Sequence, residues 1–368
     1  MKVSEKGKSG NQGKKKPEMR KLSVVSGWLL SVAVFMAGGF IVLSTSGKYN
    51  LEKQTMSYAV QEKDAVLSAL AVPSEMDVSG EIDFQQGGEL LQEIPLLQDE
   101  KLLQEEGFLQ DGGTWQAKHE GDIYRYKDGI LTFLLIGVKG DWTEGLGGNI
   151  DSSRTQALSL VVLDPDEKAV KLIPIKSNTM AAVDVYDEQG IYAGTVTAQV
   201  GVQQGFGGDG KASCEYQVKA VQKLFYGIPI SGYLAADMDA VSDMAALVEE
   251  MDMAAAEETF PEDAMEGQEY LLTEFVSKGM RLLKEEPASV IKIYHEMSGR
   301  MITDLTADEV SYLATIAGGY HFDAEKVITI PGINASGEER TEGGYDEFYV
   351  DRKAFYRLVL ETFFEPAD

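Results

Sequence analysis

Leu131-Thr132-Phe133-Leu134-Leu135-Ile136-Gly137-Val138 is a short apolar run. Its length and branched residues predict a strand buried on both faces. The segments that follow it set the fold class. After a glycine-rich loop from Gly140 to Gly148 come two more strand-like runs, Ala157–Leu163 and Ala169–Ile175. Between them, Asp164-Pro165-Asp166-Glu167 is a strong turn signal, so the pair is expected to form an antiparallel hairpin. Helical patterns follow. Ser213 is placed to cap a helix whose apolar side is Val218, Val221, Leu224 and Phe225, with Gly227 and Pro229 ending it. Thr306-Ala307-Asp308-Glu309 has the form of a capping box, and the helix it starts should run to Gly318. Asp351 is placed to cap a last helix that gathers Phe355, Leu358, Val359, Thr362 and Phe363 on one side. Strands mixed with helices predict an α/β body with a mixed β-sheet core and flanking helices over residues 121–368, compact from about Tyr124 onward.

Upstream, the chain changes character. No charged residue occurs from Leu22 to Gly47, and Lys14, Lys15, Lys16, Arg20 and Lys21 stand directly before that run. A bilayer needs about 20 apolar residues to cross it, so 22–46 is expected to be one transmembrane helix. The positive-inside rule then keeps the basic tail 1–21 in the cytoplasm and sends the C-terminal domain outside, in a single-pass arrangement at the cell membrane. A cleaved signal peptide is the competing reading, with Ser44-Thr45-Ser46-Gly47 as its cut site. Residues 47–120 read as an acidic stalk. Leu-Leu-Gln recurs at 90–92, 96–98 and 102–104, with Phe108-Leu109-Gln110 as an echo. Short amphipathic helices are expected there, serving either as a spacer or as a surface for a protein partner.

Charge excludes one class of function. The 368-residue chain carries 33 Lys and Arg against 60 Asp and Glu, a formal net charge of −27. The tail 1–21 holds eight of the bases and two of the acids, so the rest is at 25 − 58 = −33. A body this acidic repels nucleic acid. Cys214 is the only cysteine, which rules out an intrachain disulfide and reads as a small half-buried residue at a helix start. His119, His295 and His321 are too widely spaced for a histidine-rich metal site. Gly145-Leu146-Gly147-Gly148 lacks the spacing of a dinucleotide fingerprint, and there is no phosphate-binding Gly-Lys loop and no Gly-x-Ser-x-Gly elbow. Asp237, Asp239 and Asp243 lie near an expected helix start and read as capping or solvated carboxylates.

Several segments, in order, resemble the LytR-CpsA-Psr family of bacterial cell-envelope proteins. Leu134-Leu135-Ile136-Gly137 resembles its first core strand, and Arg154-Thr155-Gln156-Ala157 its Arg-Ser-Asp-Thr strand. Leu172–Thr179 resembles the strand ending in Ile-Pro-Arg-Asp-Thr, and Gly227-Ile228-Pro229-Ile230-Ser231-Gly232-Tyr233 the Gly-Ile-Pro-Ile-Asp-Tyr-Tyr segment. The likeness covers Tyr124 to Phe364 and extends to the expected anchor and topology. It implies transfer of a glycopolymer from a polyprenyl-pyrophosphate carrier to peptidoglycan, with aspartates holding Mg²⁺ and arginines gripping the phosphate oxygens. Such chemistry rests on positioning and on positive charge around phosphate.

The sequence departs from the family at those very positions. Lys139 stands where the family has an Asp after the first strand, Gln156 where it has the Asp of Arg-Ser-Asp-Thr, and Ser177 where it has the Arg of Pro-Arg-Asp-Thr. Lysine repels a cation and glutamine offers one neutral oxygen, so the Mg²⁺ that the resemblance brings has lost its ligand positions and no cofactor is expected. Two readings stay open. In one, Lys139, Arg154, Lys176 and Asn178 form a metal-free pyrophosphate-binding site for a polyprenyl-phosphate-linked glycan, with transferase activity weakened or lost. In the other, the lysines are solvated and the domain is an inactive scaffold or regulatory binding protein of the cell envelope, a pseudoenzyme.

Overall fold

The computed structural model describes residues 45–55, 107–111, 114–138, 155, 157–187, 190–207, 209–237, 264–285, 290, 294–295, 301–335 and 347–367. Of the expected transmembrane segment these include only Thr45 and Ser46, and the leucine triplets at 90–104 also lie outside them. Among the described residues no helix is long and apolar enough to cross a membrane.

The apolar run is strand β4 (Leu131–Val138) of a six-stranded sheet. It pairs antiparallel with β5 (Ala157–Asp164), which pairs antiparallel with β6 (Ala169–Ile175), so the expected hairpin is present. β9 (Gly232–Asp237) runs parallel to β4 on its other side, and β10 (Met301–Thr303) closes that edge antiparallel to β9. A two-residue β11 (His321–Phe322) lies parallel to β6 at the far edge. The sheet is therefore mixed, in the order β10-β9-β4-β5-β6-β11.

Both faces of this sheet are covered, and the two-residue period of the strands divides the core accordingly. Leu134, Ile136, Leu158, Leu160, Val162, Ile173 and Ile175 face α2 (Gly210–Leu224) and α5 (Arg352–Phe363), which contribute Val218, Val221, Phe355 and Val359. Leu131, Phe133, Leu163, Val170 and Leu172 face the opposite way. That side is covered by α1 (45–55) through Leu51, α3 (Ala264–Glu285) through Val276 and Met280, and α4 (Ala307–Ala317) through Ala317. Each such large apolar side chain, fully buried, contributes about 1.5–3 kcal/mol.

A second sheet is antiparallel throughout, in the order β1 (Gly107–Asp111), β2 (Thr114–His119), β3 (Asp122–Tyr126), β14 (Phe364–Pro366). Phe108-Leu109-Gln110 is thus strand rather than helix, because Gly107–Asp111 finds a ladder on β2. Two hairpins complete the fold: β7 (Met180–Tyr186) with β8 (Tyr192–Gln199), and β12 (Gly332–Ala335) with β13 (Glu347–Val350).

The helix caps follow the sequence at two of three places. Thr306 and Glu309 form the reciprocal capping box of α4, and Asp351 caps α5 by accepting from the Ala354 amide. At α2 the expectation fails: Asp209 is the cap, its carboxylate accepting from the Ala212 amide, and Ser213 lies buried inside the first turns. An anionic cap four residues earlier also faces the positive end of the helix dipole, which favours the longer helix. The helix ends as expected, with Gly227 at φ +81° donating to the Gln222 carbonyl.

Candidate functional site

The candidate residues belong to segments that leave one end of the central sheet. In register, Gly137 on β4 faces Ala157 on β5, Leu158 on β5 faces Ile175 on β6, and Val138 faces Asp237 on β9. Lys139 therefore follows β4, and Lys176-Ser177-Asn178 follows β6, at the same end from which β5 departs. Lys139 and Arg154 themselves lie outside the described residues, as do Asp239 and Asp243. Arg154 is the chain neighbour of Thr155, whose position is defined.

Past the last β5–β6 pair the two strand ends do not stay hydrogen-bonded to each other. A 3-10 turn, Val200–Phe206, supplies Val200 and Gly201 between them. The Thr155 amide donates to the Gly201 carbonyl at 3.1 Å, and the Gly201 amide donates to the Ser177 carbonyl at 2.8 Å. The Val200 amide donates to the Thr179 carbonyl at 2.7 Å. One residue thus ties together the segments that carry Arg154 and Lys176. It has to be small. A Cβ on Gly201 would lie 2.9 Å from the Ser177 Cβ and carbonyl oxygen and 3.2 Å from the Thr155 carbonyl.

Neutral amides support this junction from below. The Thr155 hydroxyl sits against the Gln204 Oε1 and donates to the Gln217 Oε1 at 3.1 Å, while the Gln217 Nε2 donates to the Val200 carbonyl at 3.1 Å. Gln203 is clamped to β7: it accepts from the Asp184 amide at 2.8 Å and donates to the Asp184 carbonyl at 2.9 Å. The Asp184 carboxylate accepts from Lys223 Nζ at 2.5 Å and from the Thr195 hydroxyl at 2.6 Å, which fastens the β7–β8 hairpin to α2. Thr155, Gln203, Gln204 and Gln217 are each about 1% exposed or less. At that depth an unmade hydrogen bond costs about 1–3 kcal/mol, so the amides hold the loop firmly.

Of the four sequence-derived candidates, two can be placed. Lys176 is half-buried and its ammonium lies 4.5 Å from the centroid of the Phe348 ring, an attractive cation–π distance. Asn178 is buried; its carbonyl accepts from the Phe348 amide at 3.0 Å, and its Oδ1 has no hydrogen-bond partner among the described residues. The Thr179 and Ser213 hydroxyls are in the same condition. Cys214 is fully buried, and burial, reinforced by Asp304, Glu215 and Asp209, pushes its thiol up to about 12. It stays protonated at neutral pH and is no nucleophile. Among the described residues no group of three or more His, Cys, Asp or Glu is arranged to hold a metal ion.

Sequence reasoning missed Gly201, Gln203, Gln204 and Gln217. The first three fall in Val200-Gly201-Val202-Gln203-Gln204-Gly205-Phe206-Gly207, which shows neither helical nor strand period and no charge, and Gln217 lies on the buried side of α2. The one available signal was an uncharged amide pair among glycines in a chain that is 25% charged.

No protein-family model matches the chain, and no curated protein matches it. Solved structures do. TagV of B. subtilis is similar with a TM-score of 0.47 at 17% identity, covering 64% of this chain and 98% of that one. The Bacillus subtilis transcriptional regulator yvhJ is similar with a TM-score of 0.46 at 18% identity, over 64% of this chain and 98% of its own. A structure of TagT bound to LIIa-WTA has a TM-score of 0.43 at 13% identity, over 63% and 89%. TagV and TagT are LytR-CpsA-Psr proteins, the family that this chain's sequence segments resemble.

Proposed function

We propose that this chain is a divergent LytR-CpsA-Psr protein of cell-envelope assembly. In this reading 22–46 anchors it in the membrane, 1–21 is cytoplasmic, and the body works outside; the sequence-derived stalk 47–120 is corrected, because 45–55 and the strands at 107–119 belong to the body. The body grips the phosphate of a polyprenyl-linked glycopolymer without a metal, and its transferase chemistry is weakened or lost.

The observation that carries the reading is the junction at Gly201, which ties the chain neighbour of Arg154 to the segment that bears Lys176. An arginine and a lysine carried on neighbouring segments suit a phosphate, the arginine through its planar fork and the lysine as a point charge. In a body this acidic, anion binding needs such a local concentration of cations. The unpartnered, buried Asn178 Oδ1 is a further polar group in the same turn.

The second reading, an inactive scaffold or regulator, also has an observation in its favour. Lys176 already rests over the Phe348 ring, and Asn178 is buried, so both take part in internal packing. One measurement separates the two. The full chain in detergent is titrated with a polyprenyl phosphate in the presence of EDTA. Anion gripping predicts saturable binding that weakens about tenfold or more in a Lys139→Ala, Arg154→Ala double variant. Binding left intact by that double change leaves the scaffold reading standing alone.

A further inference from the structure

Helix α1 occupies a special place in the chain. Its described part covers 45–55, and Thr45 stands two residues after Leu43, the last strongly apolar residue of the uncharged run. It does not stand apart from the body. Leu51 is 1% exposed and packs with Leu131, Phe133, Leu172 and Met280 of the central core. Gln54 Nε2 donates to Asp304 Oδ2 at 2.5 Å, and the other oxygen of that carboxylate accepts from the Tyr233 amide at 2.7 Å. Gly47 lies so close to the Asp308 backbone, at the start of α4, that a side chain there would collide with it.

Burial of Leu51, a charge-assisted hydrogen bond and a close glycine contact hold α1 at three successive turns.

From this packing we propose that the folded body is clamped against the lipid bilayer, with the lipid headgroup layer as the partner of the surface around Lys48 and Tyr49. The inference rests on the anchor at 22–46 and adds the position of the body relative to it. Only four residue steps separate Leu43 from the Gly47 contact with Asp308. Fully extended they reach about 14 Å, and as helix about 6 Å. If residues 47–106 acted as a free tether instead, the body would wander by roughly 45 Å. Chemistry at the surface agrees. Lys48 has 58% of its side chain exposed, and Tyr49 is 66% exposed. Tyrosine and lysine at the end of a membrane span suit the headgroup layer. The clamp keeps the body within reach of a substrate whose lipid tail never leaves the membrane.

The test uses the full chain in phosphatidylcholine vesicles that carry an acceptor dye on their headgroups. Cys214→Ala leaves one site for a donor dye at an added Lys326→Cys on the exposed turn Ala324–Lys326. The clamp predicts efficient, narrowly distributed transfer, and a loss of at least half of it when Leu51→Asp detaches α1. Gly47→Val, which pushes the helix off Asp308 without placing a charge in the core, predicts the same loss and serves if Leu51→Asp does not fold. Transfer that is broadly distributed in the parent, or unchanged in a folded detached variant, overturns the clamp while leaving the anchor in place. A chain that stays out of the vesicles overturns the anchor and the clamp together.

Discussion

At one end of the β5–β6 pair Asp164 is fully buried between two lysines, with Lys127 Nζ at 2.9 Å and Lys171 Nζ at 3.0 Å. At the other end Thr155 is equally buried between two glutamines, and among the described residues no ion pair touches it. The charged end is satisfied throughout. Lys127 also donates to the Thr362 carbonyl, Lys171 reaches Glu167, and the second Asp164 oxygen accepts from the Asp166 and Glu167 amides. The neutral end retains polar atoms, on Asn178 and Thr179, with no partner among the described residues. The contrast teaches a division of labour along two strands. Charges that close a turn are fully committed to the fold. The end whose strands are held apart by Gly201 is tied mainly by neutral amides and backbone hydrogen bonds.

The comparison breaks most visibly at Lys127. Lys127→Met leaves Asp164 buried with one lysine fewer and removes the donor to the Thr362 carbonyl. Breaking a buried pair from one side costs about 3–5 kcal/mol, because an uncompensated charge remains. The expected result is a large drop in denaturant midpoint with little change in slope. A loss below about 1 kcal/mol would mean that Lys171 suffices and that the charged end is not the keystone it looks.

Acid probes the same end more gently. Burial pushes the Asp164 carboxyl up, but the hydrogen bonds from Lys127 and Lys171, with the Glu167 amide and the Lys127 charge, outweigh it and hold the group down to about 2. A carboxylate whose folded value is depressed stabilises the fold fully above its ordinary value of 3.8. That contribution is lost as pH falls through about 2. Urea unfolding at pH 5 and pH 2.5 should therefore show a stability drop that shrinks in Asp164→Asn. An identical drop in both would place the acid sensitivity elsewhere in this acidic chain.

What the sequence disclosed about these two ends differs for physical reasons. The charged end was legible: Asp164-Pro165-Asp166-Glu167 is local turn chemistry, and its flanking runs are continuous and apolar. Thr306 and Asp351 were legible for the same local reason, since a cap and the amide it satisfies lie three residues apart. The partner Lys127 was not, because it reaches Asp164 across 37 residues. Nor was the small sheet, whose last strand, Phe364–Pro366, pairs with Tyr124–Tyr126 from the other end of the body. The neutral end gave still less. Gly201 is required by an approach between two backbones that are distant in sequence, and buried glutamines look in a sequence like solvated ones. Ser213 was misread because serine and aspartate both cap, and only tertiary packing shows that the helix starts at the aspartate.

The smallest effect is expected at Thr155 itself, and it tests the claim that the neutral end stabilises less than the charged one. Thr155→Val nearly preserves shape and removes a hydroxyl that has one proton and two glutamine oxygens beside it. The Gln217 Nε2 still holds the Val200 carbonyl. No charge is stranded, so the cost should be that of a neutral buried hydrogen bond, about 1–2 kcal/mol. Because the backbone bond from Thr155 to Gly201 is untouched, the junction should persist, and polyprenyl-phosphate binding should fall by less than in the Lys139→Ala, Arg154→Ala variant. A loss as large as that of Lys127→Met would mean that the hydroxyl, rather than the Gly201 backbone, holds the two segments together. The neutral end would then be a structural keystone of the same rank as Asp164, and its unpartnered polar atoms would belong to the fold instead of to a ligand.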